Sequence, residues 1–130
     1  MRTFPGTVVA RLIGRWNSKV SEQYTHYPRP QDSGNHEDVT EVVLTNKQGK
    51  GVRVTAIDRP FSFSALYYTV DDIYKTTHDC DLKPRKEVVL SLDAAVLGLG
   101  NSSCGPGVLK KYAIDKQKPH TLRVRFSLIK

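Results

Sequence analysis

Cysteine is scarce in this chain: Cys80 and Cys104 are the only two, and they do not stand in C-x-x-C spacing. That excludes a zinc ribbon and a thioredoxin-type redox motif, and it leaves open whether the two thiols are free or bridged. No apolar run approaches the roughly 18 residues of a membrane span, and the N-terminus lacks the apolar core of a signal peptide. A soluble chain is expected, with no membrane partner. Gly-x-Ser-x-Gly is absent, and Gly98-Leu-Gly100 is too little of a phosphate-binding loop, with no helical pattern after it. The four histidines, His26, His36, His78 and His120, have no metal-ligand spacing among themselves or with the cysteines, so no metal site is expected, although His26 and His36 flank one loop. Glu22, Glu37, Glu41 and Glu87 are scattered acids without the pairing that glycoside hydrolysis requires.

Charge of one sign is in excess but nowhere concentrated. The net charge is +7, and residues 1–65 and 66–130 contribute +3 and +4 of it. Lys83, Arg85 and Lys86 stand beside Asp79, Asp81 and Glu87, as on a solvated face, so nucleic acid is not the expected partner. The 130 residues make one domain, 1–130, able to bury roughly two thirds of its unfolded surface without a staple. Its 38% apolar and 25% charged residues are those of a globular chain.

What the chain does have is period-two patterning. Thr7 to Ile13 and Gln23 to Tyr27 read as strands, and Val39 to Thr45 as a third. Asn46-Lys-Gln-Gly-Lys-Gly51 turns that third strand back as a hairpin into Val52 to Ile57, where Val52, Val54 and Ala56 alternate with Arg53 and Thr55. Asp58-Arg59-Pro60 makes a corner. Phe61-Ser-Phe-Ser then places both phenylalanines on one face and both serines on the other. Thr69-Val-Asp-Asp72 offers a capping hydroxyl followed by acids, which predicts one short helix from Val70 to about Thr77. Glu87 to Asp93 is a further strand, and Leu97 to Gly107 a long glycine-rich loop. Thr121 to Leu128 alternates without a fault, predicting Leu122, Val124, Phe126 and Leu128 inward. About eight strands with polar turns and almost no helix imply an all-β, antiparallel sandwich.

Candidate functional residues lie in Tyr24-Thr-His-Tyr-Pro-Arg-Pro-Gln-Asp-Ser-Gly-Asn-His36. Pro28 and Pro30 keep the chain extended, and Asp32, Ser33, Gly34 and Asn35 are turn formers. A polar loop carrying Arg29, Gln31, Asp32, Asn35 and His36 between strand-like runs is built to present groups to a recipient. Most aromatic side chains belong to strands, where core packing is their ordinary role. Tyr27, between His26 and Pro28, is better placed for a surface role. Sugar recognition uses such pieces, an aromatic face against the ring and planar polar groups for hydroxyls.

Several motifs occur in fixed order: Arg15-Trp16, Ser21 to Tyr27, Arg29-Pro-Gln-Asp-Ser-Gly-Asn35, Thr45 to Gly51, Pro60-Phe-Ser-Phe-Ser-Ala65, Tyr67 to Ile73 and Ser103-Cys-Gly-Pro-Gly-Val-Leu109. Together, from about Phe4 to Ile129, they resemble the C-terminal small-chain domain of the family-two glycoside hydrolase β-galactosidases. The resemblance implies part of a galactose-mutarotase-like supersandwich, packed against a separate (β/α)₈ barrel that carries the catalytic glutamates. The chain alone is then expected to be inert, with no catalytic residue of its own. The parent would hydrolyse terminal β-D-galactosides, as a homo-oligomer in the bacterial cytoplasm or periplasm. Its magnesium and sodium would bind mainly outside this segment, which would need no cofactor.

The same resemblance places the loop of Arg29, Gln31, Asp32, Asn35 and His36 beside the active-site mouth. It places Ser103 and Cys104 in a second loop that in some members carries a sugar-stacking tryptophan. Here that position is Cys104, which has no ring face. Gly6-Thr7 replaces the family's Asp-Arg, and the family's domain begins well upstream of Phe4, so an edge or apolar patch covered in the parent is expected to be bare. The rival reading is a stand-alone carbohydrate-binding or oligomerising β-sandwich.

Overall fold

The computed structural model describes residues 14–97 and 106–130. The expected strand Thr7 to Ile13 and most of the glycine-rich loop, including Ser103 and Cys104, lie outside the described residues.

The predicted hairpin forms as β2 (Glu41–Thr45) and β3 (Gly51–Ala56), in antiparallel register from Glu41 opposite Thr55 to Thr45 opposite Gly51. Its turn is built by Asn46, whose side-chain oxygen accepts the backbone N–H of Gln48 at 2.9 Å and of Lys50 at 3.1 Å. Gly49 supplies the left-handed residue, φ 81°. A third strand, β6 (Val124–Ile129), adds along β3 with Val54 opposite Phe126. The corner Asp58-Arg59-Pro60 is tied to the approach of β6, since Arg59 donates to the Thr121 carbonyl at 2.6 Å and Arg123 pairs with Asp58.

The second sheet has the order β1 (His36–Val39), β4 (Phe61–Leu66), β5 (Val89–Asp93), again all antiparallel. Val42 and Val54 from one sheet meet Phe61 from the other, with Phe63, Leu90 and Leu92 packed around them. The fold is therefore an all-β sandwich, as the alternation implied. Among the described residues it has one α-helix, α1 (Val70–Lys75), and no helix long and apolar enough to cross a membrane.

The capping residues of α1 act as predicted. The Thr69 hydroxyl accepts the Asp72 N–H at 3.1 Å while the Asp72 carboxylate accepts the Thr69 N–H at 2.9 Å, a reciprocal capping box. The helix ends at Lys75, two residues earlier than expected, because Thr76 is extended (ψ 126°). Its one buried side chain, Ile73, joins Tyr24, Leu66 and Leu82 in a second apolar cluster on the other face of β4.

Three expectations are corrected. Val39 to Thr45 is not one strand: Val39 ends β1 in one sheet, Thr40 is a bend, and Glu41 begins β2 in the other. Asp38 at φ 57° and a register shift in β1 turn the chain from one layer to the next. Gln23 to Tyr27 joins no ladder, because its backbone is satisfied by the neighbouring loop instead: the Thr25 N–H donates to the Ser33 hydroxyl at 3.0 Å. In β6, which begins only at Val124, Leu122 and Val124 reach the core, but Phe126 (60% exposed) and Leu128 (82%) do not. β6 runs on beside the distal half of β3, where neither side chain joins a buried cluster.

Two stability outcomes follow from this packing. Thr69→Ala should lower the unfolding free energy by about 1 kcal/mol in denaturant titration, through loss of the cap. Val54, fully buried between the sheets, should cost about 2 kcal/mol when replaced by alanine.

Candidate functional site

The loop between Tyr24 and His36 is held at several points along its length. The Pro28 carbonyl accepts the Asp79 N–H at 3.3 Å, Ser33 caps Thr25, and Pro30 is buried. Gly34 sits at φ 77°, with the Gln23 carbonyl oxygen only 2.6 Å from where a Cβ would stand. Glycine is required there on both grounds. Beyond it Asn35, exposed, borders a groove that strand residues also line. At the loop's end the His36 ring stacks on Phe63, centroids 5.0 Å apart, and its Nε2 lies 2.5 Å from the Gln23 side-chain oxygen.

This anchoring sorts the predicted site residues. Asp32 and Asn35 share a groove of about 170 Å³ with Ser64, Ser91 and Asp93. Ser64 and Ser91 are register partners on β4 and β5 and both line the groove; of the two serines predicted to face away from the phenylalanines, Ser64 is there and Ser62 is not. Arg29 and Gln31 are exposed, and neither side chain has a partner among the described residues. His36 is at the base of the loop on β1, tied to Gln23 and Phe63. Ser103 and Cys104 are outside the described residues, and Cys80 is a free, exposed thiol. His26 and His36 do not converge: His26 bonds Asp79, and His36 bonds Gln23. Among the described residues no group of three His, Cys, Asp or Glu is placed to hold a metal ion.

A second cleft, about 360 Å³, opens beside the first stretch of the loop and was not anticipated from the sequence. Val20, Tyr24, Tyr67, Tyr68 and Pro84 form its apolar walls, and His26 and Arg85 are polar groups on its border. The Tyr24 and Tyr68 rings lie 4.9 Å apart, tilted 58°. Burial raises both phenols above their ordinary pKa of 10, and the Asp79 carboxylate pushes the same way, so both stay neutral through the physiological range. His26 Nδ1 lies 2.8 Å from the Asp79 carboxylate. Arg85 forks onto Asp72, with Nε at 2.5 Å from one oxygen and Nη2 at 2.8 Å from the other. The one sequence signal for this cleft was the pair Tyr67-Tyr68 at the end of β4. Its other walls come from a 3₁₀ turn at Val20–Glu22 and the segment around Pro84, which only folding brings near.

The Asp72 carboxylate is held well below the usual carboxylate range, first by the Arg85 guanidinium and then by the Thr69 backbone N–H and hydroxyl. A carboxyl with a depressed folded pKa stabilises above its unfolded pKa and loses that contribution as pH falls. Chain stability should therefore decline as pH drops below the unfolded value near 4. Asp72→Asn should flatten that acid limb, measured as denaturation midpoint against pH; an unchanged limb would refute the assignment.

The comparisons with known proteins agree with one another. A family model described as "Beta galactosidase small chain" matches residues 4–128. A β-galactosidase of Staphylococcus xylosus is 31% identical over 109 residues, which are 84% of this chain and 11% of that protein. One of Bifidobacterium adolescentis is 32% identical over 119 residues, 89% of this chain and 11% of that protein. A β-galactosidase small subunit of Latilactobacillus sakei is 30% identical over 124 residues, 87% of this chain and 39% of that protein. The chain thus spans about a tenth of the two longer relatives and two fifths of the subunit. With the match running through almost every described element, the chain belongs to the β-galactosidase small-chain family.

Proposed function

We propose that this chain is the non-catalytic C-terminal segment of a β-galactosidase, supporting a separate catalytic barrel and lending loops to the mouth of its active site. The observation that carries the reading is the small-chain match over residues 4–128, in a chain that spans only about 11% of β-galactosidase relatives. Geometry supports the loop's part in it. Asp32 and Asn35 are presented over a serine-floored groove, Arg29 and Gln31 project with unengaged side chains, and His36 holds the loop's end in place. Ser103 and Cys104 would contribute from the second loop, without the ring face of the family's tryptophan. The bare end of β6, with Phe126 and Leu128 exposed, suits a surface covered by the remainder of the parent. Magnesium and sodium would be held mainly by that remainder, which would assemble as a homo-oligomer acting on β-galactosides. The setting would be a bacterial cytoplasm or periplasm.

In the intact parent, Arg29→Ala, Gln31→Ala and Asn35→Ala should each lower kcat/KM for a galactoside, by about tenfold for a positioning contact. Unchanged kcat/KM in all three removes the loop from the site. The purified 130-residue chain should not turn over a nitrophenyl galactoside. Turnover by that chain overturns the non-catalytic reading.

A further inference from the structure

The aromatic cleft opens at the start of the presenting loop and shares Tyr68 with the groove of Asp32 and Asn35, but its other lining residues differ, and its chemistry is specific enough to name a ligand class. We infer that the cleft between Tyr24, Tyr67 and Tyr68 binds one uncharged sugar ring, with His26 and Arg85 as hydrogen-bonding partners for its hydroxyl groups.

Size and shape come first. At about 360 Å³ the cleft falls at the small end of the range for small-molecule sites, and it is mostly apolar with a few polar groups at its border. The tyrosine rings carry a negative face that attracts the polarised C–H groups on the apolar side of a pyranose.

The polar groups each have capacity left. Asp79 engages Nδ1 of His26, which in the neutral ring leaves Nε2 as an acceptor. Asp72 engages Nε and Nη2 of Arg85, which leaves Nη1 as a donor. A hydroxyl group both donates and accepts, so a sugar can use both.

Charge then selects among hydroxyl-bearing ligands. Each basic group at the cleft already has its own carboxylate, Asp72 for Arg85 and Asp79 for His26. Among the described residues no unpaired positive charge borders the cleft for a phosphate or carboxylate: the Arg85 guanidinium is paired with Asp72, and the His26 ring is bonded to Asp79. A neutral ring displaces neither pair.

The test is an NMR titration of the whole chain with methyl β-D-galactopyranoside and methyl β-D-glucopyranoside, with galactose 6-phosphate as the charged comparison. Saturable shifts of the Tyr24 and Tyr67 ring signals are expected with at least one neutral glycoside, at millimolar affinity; Tyr68 also lines the groove of Asp32 and Asn35 and so does not tell the two sites apart. The phosphate ester should bind more weakly. Tyr67→Ala should weaken binding by about tenfold, and Tyr74→Ala, an exposed aromatic outside the cleft, should leave it unchanged. Should Tyr67→Ala lose its dispersed spectrum, His26→Gln serves instead, since that side chain is 64% exposed and its loss should weaken binding severalfold.

Absence of saturable shifts, shifts that map away from the cleft, or preference for the phosphate ester overturns the inference. The inference stands apart from the loop's proposed role. Asn35→Ala, which reports on that role through kcat/KM in the parent, should leave the titration unaltered, so either reading can fail without the other.

Discussion

Burial of β4 on both faces is the constraint from which the rest of the molecule follows. Phe61, 2% exposed, closes the core between the two sheets, and Leu66, 4% exposed, closes the cluster with Tyr24, Ile73 and Leu82 on the opposite side. A central strand buried this way has no free register: a slip of one residue would exchange Phe61 and Ala65 for the serines. The groove beneath Asp32 and Asn35 therefore has its floor placed by Ser64, and the aromatic cleft has its walls placed by Tyr67 and Tyr68 just past the strand's end. Both candidate surfaces rest on one strand.

Carboxylates hold the loops and turns to that frame. Asp72 caps α1 through Thr69 and forks with Arg85, so the segment after the helix is fixed at the same point as the helix start. Asp79 holds His26, and its backbone N–H bonds Pro28, which fastens the start of the presenting loop to the turn after the helix. These pairs are partly exposed, and their worth lies in where they place side chains more than in stability. Their second consequence is electrical. In a chain of net charge +7, the guanidinium at the border of the aromatic cleft, Arg85, is already matched by Asp72, and the His26 ring beside it is bonded to Asp79.

Local chemistry was legible wherever neighbours in sequence settle it. The Asn46 turn, the Thr69 cap and the alternation of Phe61 to Ser64 need only residues a few positions away, and the all-β class follows from their sum. The family was legible too, because its motifs keep their order along the whole chain. The division of Val39–Thr45 was not legible, since a continuous β-branched run gives no sign that Thr40 bends from one sheet to the other. Nor was the exposure of Phe126 and Leu128, for alternation says which face a side chain shares and not whether anything covers it.

The site divides along the same line. The sequence by itself determined that a proline-bounded polar loop would follow Tyr24 and which side chains it would carry, because proline and turn residues act on their own backbone. Only the tertiary structure decided that Asp32 and Asn35 meet Ser64 and Ser91, that His36 is taken up by Gln23 and Phe63, and that Tyr24 and Tyr68 border a common cleft. Those partners lie far apart along the chain, and their distances depend on how two sheets and one short helix share the burial of β4.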